Sequence, residues 1–595
     1  MLDTLAVAET RRRFLAHFSS IGLGSTLVPG ALWAQMQQVG AQEATPEMVR
    51  GALALSGIDF SDEDDKAIAE GLNNSIRNYI EMRKIHIPND VSPPFHFSAI
   101  VPGITVTRTA TPFRMSAPSV RRPANIEDVA FWSVTQLSQL VRTKQVTSVE
   151  LTEMYLDRLH RFNPTLNFVV TFLDDLALEQ ARQADAEIAA GRYRGPLHGI
   201  PWGAKDIIAV KGYKTTWGSG AYTDQVFDHD ASVVEMLRDA GAVLLAKLTT
   251  GELASGDRWF GGQTKNPWNL EQGSSGSSAG PGSATGAGCV PFAIGTETSG
   301  SILSPAARCG VTGLRPTLGR ISRAGVMALS WTQDRLGPMC RYAEDCALVM
   351  SVIAKPDQKD MSVVGLPFNW DAQRPLAGIK VGYIAAAFDE VVDPEMRKAN
   401  AETLEQVRRL GYTLVDVKVP DSPTNFSAIG VESSAFHYEM IQTGRDKQMT
   451  SPNRGLGMKR ARLVPAVEYL QQQRIRMMMM MELAKATAHV DVYLAPRTTG
   501  APTPQPPGAN APAAPAPAAP GGGDNDRPSP MGRHSAMANL ATYPAISMPN
   551  GWNADGTPMA ITFFARPFGE SELLTVAKAW QDVSGHHLKH PTLST

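Results

Sequence analysis

Two hydrophobic patterns alternate along the chain from about residue 126 to its end. Some segments carry apolar residues every three or four positions, which is typical of a helix with one buried face, and others are short apolar runs typical of strands. Thr147–Glu150 has the composition of a capping box and predicts a helix start. Further helices are predicted at 173–190, 232–240, 469–489 and 571–580, and strands at 199–202, 242–246, 378–384, 543–551 and 559–564. The alternation predicts an α/β fold with helices on both faces of a sheet.

The segments outside this pattern define the expected domain organisation. Residues 35–125 read as an N-terminal extension, with a helical stretch near residues 61–80 followed by a proline-rich, extended part. Residues 126–595 form the main domain, and 500–530 are a Pro/Ala/Gly-rich insertion predicted to be disordered.

The first 34 residues resemble an export signal. Three arginines, Arg11–Arg13, precede a mildly apolar stretch that ends at Ala31-Leu-Trp-Ala34, whose alanines could supply a small-residue cleavage site. This order resembles a bacterial twin-arginine signal, and an amphipathic N-terminal helix is the alternative. We therefore expect a periplasmic or secreted protein that engages the twin-arginine export machinery, with no stable membrane span once the signal is removed.

Composition excludes some classes of protein. The formal net charge of −2 over 595 residues argues against nucleic acid as a partner. The cysteines have no metal-binding spacing and are expected to be buried thiols: Cys289, Cys309, Cys340 and Cys346. His586, His587 and His590 could bind a metal, but a solvated tail is the preferred interpretation. The run Met477–Met481 is expected to form a flexible core or pocket wall rather than a metal-binding or docking surface.

Lys205 is the first candidate catalytic residue. It lies among apolar neighbours that would bury it: Ile200, Trp202, Ile207 and Ile208. Lowering a lysine pKa from about 10.4 to about 7 requires roughly 4 to 5 kcal/mol of desolvation, and the neutral amine is then a base. Asp206 would point to the opposite face of a strand and need not keep Lys205 charged.

Two serines lie in Gly- and Ser-rich segments downstream. Ser277 belongs to the run 272–282 and Ser301 to the run 295–305, and such segments are expected to turn tightly rather than form ordinary helix or strand. A serine attacks a carbonyl only when a base takes its proton. With Ser277 between Lys205 and Ser301, its hydroxyl could pass that proton in either direction.

These segments resemble the amidase signature family. The likeness is carried by Gly-Ser-Ser-Gly-Ser-Ser-Ala-Gly at 273–280, Gly-Thr-Glu-Thr-Ser-Gly-Ser-Ile at 295–302, Pro305–Pro316 and His198–Asp206. It extends from about residue 130 to the C-terminus, apart from the insertion. The resemblance implies a central mixed β-sheet flanked by helices on both faces, the amidase signature fold.

The resemblance also implies roles for individual residues. The catalytic lysine falls on Lys205, the bridging serine, preceded by a cis peptide bond, on Ser277, and the acyl-accepting serine on Ser301. The oxyanion-hole amides would be those of Thr298, Ser299, Gly300 and Ser301. No metal and no other cofactor is expected.

Three positions depart from many relatives. Glu297 replaces Asp, Ser299 replaces Gly, and Leu303 replaces Arg. Where relatives use that arginine to bind a substrate carboxylate, its loss predicts a neutral or apolar acyl group.

The expected function is hydrolysis of a carbon–nitrogen amide bond in a small-molecule substrate through an acyl-enzyme on Ser301. The alternatives are an esterase or carbamate hydrolase, the tRNA-dependent amidotransferase component of the same family, which the export signal disfavours, and a non-catalytic exported binding protein. Pocket walls are expected at 254–262, 330–335 and 430–480.

Overall fold

A computed structural model of the chain describes residues 43–55, 62, 65, 66, 69, 97–422, 424, 426, 428–461, 464, 466–497 and 529–593. The predicted export signal, most of the helical stretch near 61–80 and residues 500–528 of the insertion lie outside the described residues.

The chain divides into two units. Residues 1–91 with 456–471 form one, and residues 92–455 with 472–595 form the other. In the first unit, helix α1 (Pro46–Leu55) carries Arg50, which pairs with Asp65 at 2.9 Å.

A large mixed β-sheet forms the centre of the second unit, which confirms the expected fold. Its strands are β1 (Val169–Phe172), β2 (Pro201–Lys205), β3 (Val243–Leu248), β8 (Phe292–Glu297), β9 (Thr312–Arg315), β10 (Arg335–Cys340), β11 (Val381–Tyr383), β12 (Val415–Asp416), β13 (Val492–Arg497), β14 (Ala545–Trp552) and β15 (Pro558–Ala565). Two hairpins supply the rest: β4 (Arg258–Trp259) with β5 (Gly262–Gln263), and β6 (Lys265–Asn266) with β7 (Asn269–Gly273).

The strand order places the sequence motifs near one another. The order across the sheet is β1-β3-β2-β8-β10-β9-β14-β15-β13-β11-β12. Strand β2 is parallel to both β3 and β8, and β8 is antiparallel to β10. The strand that ends at Lys205 therefore lies beside the strand that leads into Ser301.

The described residues contain fifteen α-helices after α1, some of which flank the sheet. They are α2 (Val134–Arg142), α3 (Ser148–Leu166), α4 (Asp174–Ala189), α5 (Ser232–Asp239), α6 (Ala279–Gly286), α7 (Leu303–Cys309), α8 (Ala343–Ile353), α9 (Ala385–Asp389), α10 (Pro394–Arg409), α11 (Ala428–Phe436), α12 (Tyr438–Gln442), α13 (Pro452–Ala461), α14 (Ala466–Ala486), α15 (Pro530–Leu540) and α16 (Glu570–Ser584). Two of these helices, α13 and α14, lie partly in the first unit. The predicted helices are confirmed within a few residues, and the capping box at Thr147–Glu150 is formed as predicted.

One expectation about the Gly- and Ser-rich segment was wrong. Part of it forms a regular helix, α6, in which every residue is buried. Its glycines are required by close packing: a Cβ on Gly280 would lie 2.4 Å from the Thr249 nitrogen, and one on Gly286 would lie 2.7 Å from the Cys309 oxygen. Burial of the small residues therefore outweighs their low helix propensity.

The C-terminal histidines form a solvated tail only in part. His587 is 6% exposed and packs edge-on against Tyr342, while His590 is exposed and stacks on Phe131 at 4.2 Å. The preferred interpretation was therefore wrong for His587, which burial and aromatic packing hold on the domain. No cluster of metal-ligating side chains occurs among the described residues.

The cysteines are placed as predicted, and the methionine run is placed as predicted only in part. The four cysteines are buried free thiols, as predicted. In the methionine run, Met479 and Met480 are buried in the core, whereas Met477, Met478 and Met481 are exposed. None of the helices in the described part of the chain is both long and apolar enough to span a membrane.

Candidate active site

Lys205 is the last residue of β2 and is fully buried. Its Nζ lies 2.7 Å from Ser277 Oγ and 2.8 Å from Thr296 Oγ1, and it also contacts the Thr296 carbonyl at 3.5 Å. All three partners are uncharged oxygens. The amine is therefore held by hydrogen bonds without a carboxylate in direct contact.

Burial controls the protonation of this amine. Desolvation lowers the pKa of Lys205 from 10.5 to about 7, against the opposing negative charges of Asp334 and Glu297. The change corresponds to roughly 5 kcal/mol of disfavour for the charged form. The apolar neighbours named from sequence are buried as well, since Ile200, Trp202, Ile207 and Ile208 are all at most 2% exposed. A large fraction of the amine is neutral near pH 7.

Asp206 faces away from Lys205, as predicted. Its carboxylate pairs with Lys247 of β3 at 2.9 Å and accepts hydrogen bonds from the nitrogen and hydroxyl of Thr216. Both charged groups are fully buried. The alternation of side chains along β2 thus separates Lys205 from the carboxylate next to it in sequence.

Ser277 lies in a tightly constrained turn between β7 and α6. The Gly276–Ser277 peptide bond is cis, as the family resemblance implies, and Ser277 is 1% exposed. A Cβ on Gly276 would lie 1.9 Å from the Gly256 carbonyl oxygen, so only glycine fits there. The nitrogen of Gly251 donates to the Ser277 carbonyl at 3.3 Å. These contacts fix the bridging hydroxyl opposite the lysine.

Ser278 joins the segments that carry the two candidate serines. Its nitrogen donates to the Ser301 carbonyl at 3.0 Å. Its hydroxyl donates to the Thr296 carbonyl and accepts from the Thr296 nitrogen, both at 3.1 Å. Ser277 and Ser301 are therefore tied to one hydrogen-bonded framework at the end of β8.

The loop of residues 298–301 runs from β8 toward α7. Ser301 is partly exposed, and its hydroxyl has no hydrogen-bond partner among the described residues. Gly300 has φ +95°, a left-handed conformation that favours glycine. Within the described ranges, the four backbone N–H groups of this loop have no acceptor in the protein. Such unpaired amides can donate to the oxygen of a reacting carbonyl.

Glu297 anchors the residues that directly follow the 298–301 loop. Its carboxylate accepts the N–H groups of Ile302 and Leu303 at 2.8 and 2.9 Å, and it pairs with Arg315 at 2.8 Å. Although burial raises the pKa of Glu297, Arg315 and Arg335 outweigh it and lower the value to about 2. Glu297 is therefore an ionised carboxylate that is held between the loop and Arg315.

The expected pocket segment 330–335 supports the other side of the loop. Thr298 donates its hydroxyl to Asp334 at 2.6 Å, and Arg335 donates to the Thr298 carbonyl at 2.9 Å. Desolvation raises the pKa of Asp334 and lowers that of Arg335 to about 9. These contacts hold Thr298 from two directions.

The other two expected wall segments also reach this region. Gly256, in 254–262, touches the Ser277 turn as described above. In 430–480, Glu432 accepts hydrogen bonds from Ser330 and from Thr332. The Ser330 nitrogen in turn donates to Asp334, which also accepts from Thr298 of the loop.

Sequence reasoning missed Thr296 and Ser278. Thr296 contacts Lys205 because β8 pairs with β2 in parallel, and strand pairing is not encoded locally. Ser278 is one of several adjacent serines, and nothing in composition distinguishes its role from that of its neighbours. The pattern of small polar residues locates the segment, but only the fold assigns each hydroxyl a partner.

Comparisons with known proteins agree with this architecture. The family model described as Amidase matches residues 150–574. A glutamyl-tRNA(Gln) amidotransferase subunit of Dechloromonas aromatica (strain RCB) is 33% identical over 492 residues, which cover 77% of this chain and 98% of the relative. The chain therefore belongs to the amidase signature family.

Solved structures extend the likeness to the fold. The native peptide amidase from Stenotrophomonas maltophilia matches with a TM-score of 0.65 and 27% identity, covering 79% of this chain and all of that one. A bacterial aryl acylamidase of the amidase signature family has a TM-score of 0.68 at 22% identity, covering 78% of this chain and 98% of that one. The latter supports the fold alone.

Proposed function

We propose that the protein hydrolyses a carbon–nitrogen amide bond, with Ser301 as nucleophile, Ser277 as proton relay and Lys205 as base. The observation that carries the proposal is the 2.7 Å contact between the buried Lys205 amine and Ser277. It is short enough for a proton to pass between the two groups.

In the first half of the reaction, Ser301 Oγ attacks the substrate carbonyl. The Ser301 hydroxyl, which has no partner among the described residues, must first meet Ser277 Oγ; its proton then passes to Ser277 Oγ while the Ser277 proton passes to neutral Lys205. Negative charge then develops on the carbonyl oxygen, where the N–H groups of residues 298–301 can donate hydrogen bonds. Removal of one such donor typically costs about 100- to 1000-fold in rate.

In the second half, the proton returns through Ser277 to the leaving nitrogen. The carbon–nitrogen bond breaks, ammonia or an amine departs, and an ester links the acyl group to Ser301. Water then attacks this ester, with the same lysine taking its proton, and the acid is released. This chemistry requires no group beyond the three side chains and the loop amides.

The direct test is Ser301→Ala. We expect turnover of small amides to fall at least about 10⁴-fold, because the covalent route is removed. Ser351→Ala, which removes an exposed helical serine, is the matched control and should retain full activity. A serine-directed fluorophosphonate should label the unmodified protein and the control but not Ser301→Ala. Near-normal turnover by Ser301→Ala would refute the assignment.

An esterase or carbamate hydrolase is the alternative that uses the same three residues. Paired amide, ester and carbamate substrates with one common acyl group separate these activities. A higher kcat/KM for the ester than its intrinsic reactivity explains would favour the alternative. A non-catalytic binding protein would show no turnover of any of the three and no labelling by the fluorophosphonate.

A second alternative is favoured by the relatives that are named as glutamyl-tRNA(Gln) amidotransferase subunits. It predicts that the chain needs partner proteins and tRNA for its full activity. We propose instead that the chain acts alone on a small molecule, which is supported by its net charge of −2 and by the arginine-led N-terminus. Hydrolysis of amides by the purified single chain, unaffected by added tRNA, is the expected result.

We also propose export by the twin-arginine route to the periplasm or medium, with Arg11–Arg13 as the recognition element. Replacing Arg11 and Arg12 by lysine should retain the protein inside cells. Equal export of this variant and the unmodified protein would contradict the proposal.

A further inference from the structure

Besides that of Arg335, the guanidinium of Arg497 also lies beside the candidate oxyanion loop, residues 298–301. Arg497 is the last residue of β13, and it donates from Nη2 to the hydroxyl of Ser304 in the first turn of α7. The same nitrogen is 3.6 Å from the position that a Cβ on Gly300 would occupy. Adding standard bond and Cα spacings places Arg497 Nη2 within about 9 Å of the Ser301 Cα.

The charge of Arg497 has no partner in the described part of the protein. No carboxylate there forms an ion pair with it, and its Nε is buried without a hydrogen-bond acceptor. The two carboxylates nearest the loop are engaged elsewhere. Glu297 pairs with Arg315, and Asp334 accepts from Thr298 and from two backbone nitrogens.

Incomplete pairing of this kind is unfavourable without a ligand. A guanidinium offers five donors in a planar fork that matches a carboxylate. Burial lowers the pKa of Arg497, because the group loses water without a counter-ion in contact. Arg497 as a residue remains partly exposed, and the proposal requires that an anion carried by the substrate reach its guanidinium.

Leu303 does not compete for this role. It is 1% exposed and packs in an apolar cluster that also contains Ala495. The sequence position where many relatives have arginine is therefore turned into the core here. Arg497 of β13 places a positive charge beside the same loop instead.

We propose that Arg497 binds a carboxylate carried by the acyl part of the substrate, a few bonds from the scissile carbonyl. This inference rests on the proposed amide hydrolysis and names its substrate class. It reverses the expectation of a neutral acyl group that the replacement of arginine by Leu303 suggests.

Two anilides that differ mainly in charge test the proposal. They are 3-carboxypropanoyl 4-nitroanilide and its neutral analogue pentanoyl 4-nitroanilide. The unmodified enzyme should favour the anionic compound in kcat/KM by about 10- to 100-fold, the range of a charge-assisted hydrogen bond. Arg497→Met should lose most of that preference while changing the neutral reaction less than about threefold, and Arg497→Lys should keep part of it.

Arg374→Met is the matched control, because Arg374 is partly exposed and pairs with Glu572 away from the loop. It should leave both rates unchanged. Thermal unfolding of each variant shows whether it is folded. Equal loss by Arg497→Met on both anilides would assign Arg497 to support of the loop and overturn the proposal. So would a preference of the unmodified enzyme for the neutral compound.

Binding measured without turnover separates this inference from the proposed function. In Ser301→Ala, the anionic anilide should bind at least about 10-fold more tightly than the neutral one, and the double variant with Arg497→Met should lose that difference. If the unmodified protein hydrolyses neither anilide but this binding difference is present, the proposed function fails and the carboxylate site stands. Equal binding of the two anilides to Ser301→Ala overturns the carboxylate site.

Discussion

Two lysines on neighbouring parallel strands have the same burial but opposite surroundings. Lys205 on β2 and Lys247 on β3 are both fully buried. Among the described residues, Lys205 contacts only neutral oxygens, whereas Lys247 contacts the carboxylate of Asp206 at 2.9 Å. The comparison shows that burial alone does not give a lysine amine that can act as a base. The amine must also have no carboxylate in contact, because a carboxylate stabilises the charged ammonium form.

The two environments have different energetic consequences. Desolvation lowers the pKa of both lysines, but Asp206 opposes that change at Lys247 by charge and by a hydrogen bond. At Lys205 the opposing carboxylates, Asp334 and Glu297, act only through their charge. We therefore assign a chemical role to Lys205 and a structural role to Lys247, and each assignment can be tested by substitution.

The largest effect is expected at Lys205. In Lys205→Met the relay has no base, so kcat should fall about 10³- to 10⁴-fold. Lys205→Arg should be equally inactive, because a guanidinium does not lose its proton in this pH range. Steady-state kinetics with a small amide measure the loss. Residual activity within tenfold of the unmodified enzyme would remove Lys205 from the mechanism.

Lys247→Met should act on stability instead. It leaves the Asp206 carboxylate buried and unpaired, which costs about 3 to 5 kcal/mol. The unfolding midpoint should fall, while kcat of the folded fraction stays within about threefold. The double variant Asp206→Asn with Lys247→Met removes both charges and should recover most of the lost stability. A large fall in kcat with unchanged stability would reverse the assigned roles.

Thr296→Val should have a smaller effect on rate. It removes one acceptor from the Lys205 amine, and a single hydrogen bond of about 1 kcal/mol corresponds to a several-fold loss in kcat. Because that acceptor stabilises the ammonium form, the pKa of Lys205 should fall further, and the pH profile should move to lower pH. Thr285→Val is the control, since the buried Thr285 hydroxyl has no hydrogen-bond partner in the part of the chain that the structure describes. An upward move of the profile would contradict the contact.

Sequence named candidate reacting groups better than it named the residues that support them. The resemblance to the amidase signature family, together with the apolar residues around Lys205, named Lys205, Ser277 and Ser301 as candidates. Strand alternation correctly turned Asp206 away. The partner of Asp206 could not be predicted, because Lys247 meets it through the pairing of two strands that lie about 40 residues apart in sequence.

Long-range packing also explains the expectations that were wrong. The buried helix α6 forms despite its glycines because neighbouring backbone leaves no room for side chains, as at Gly280. Among the C-terminal histidines, His587 is held by a ring far away in sequence, that of Tyr342. In both cases the small or polar composition of the segment was recognised correctly. Contacts with residues far away in sequence then determined a structure that composition alone does not predict.

The smallest expected change is a shift in the pH midpoint of kcat/KM. This measurement distinguishes the role of Lys205 from that of Lys247 most directly. The kcat/KM of the unmodified enzyme should rise with pH around a midpoint near 7, because only the deprotonated amine of Lys205 accepts a proton. The double variant Asp206→Asn with Lys247→Met should leave this midpoint unchanged, since Asp206 and Lys247 are not among the causes that set the pKa of Lys205. Asp334→Asn is the informative contrast: loss of a negative charge that favours the ammonium should lower the midpoint. If the double variant moved the midpoint and Asp334→Asn left it unchanged, the titrating group would be Lys247. The assignment of different roles to the two lysines would then be wrong.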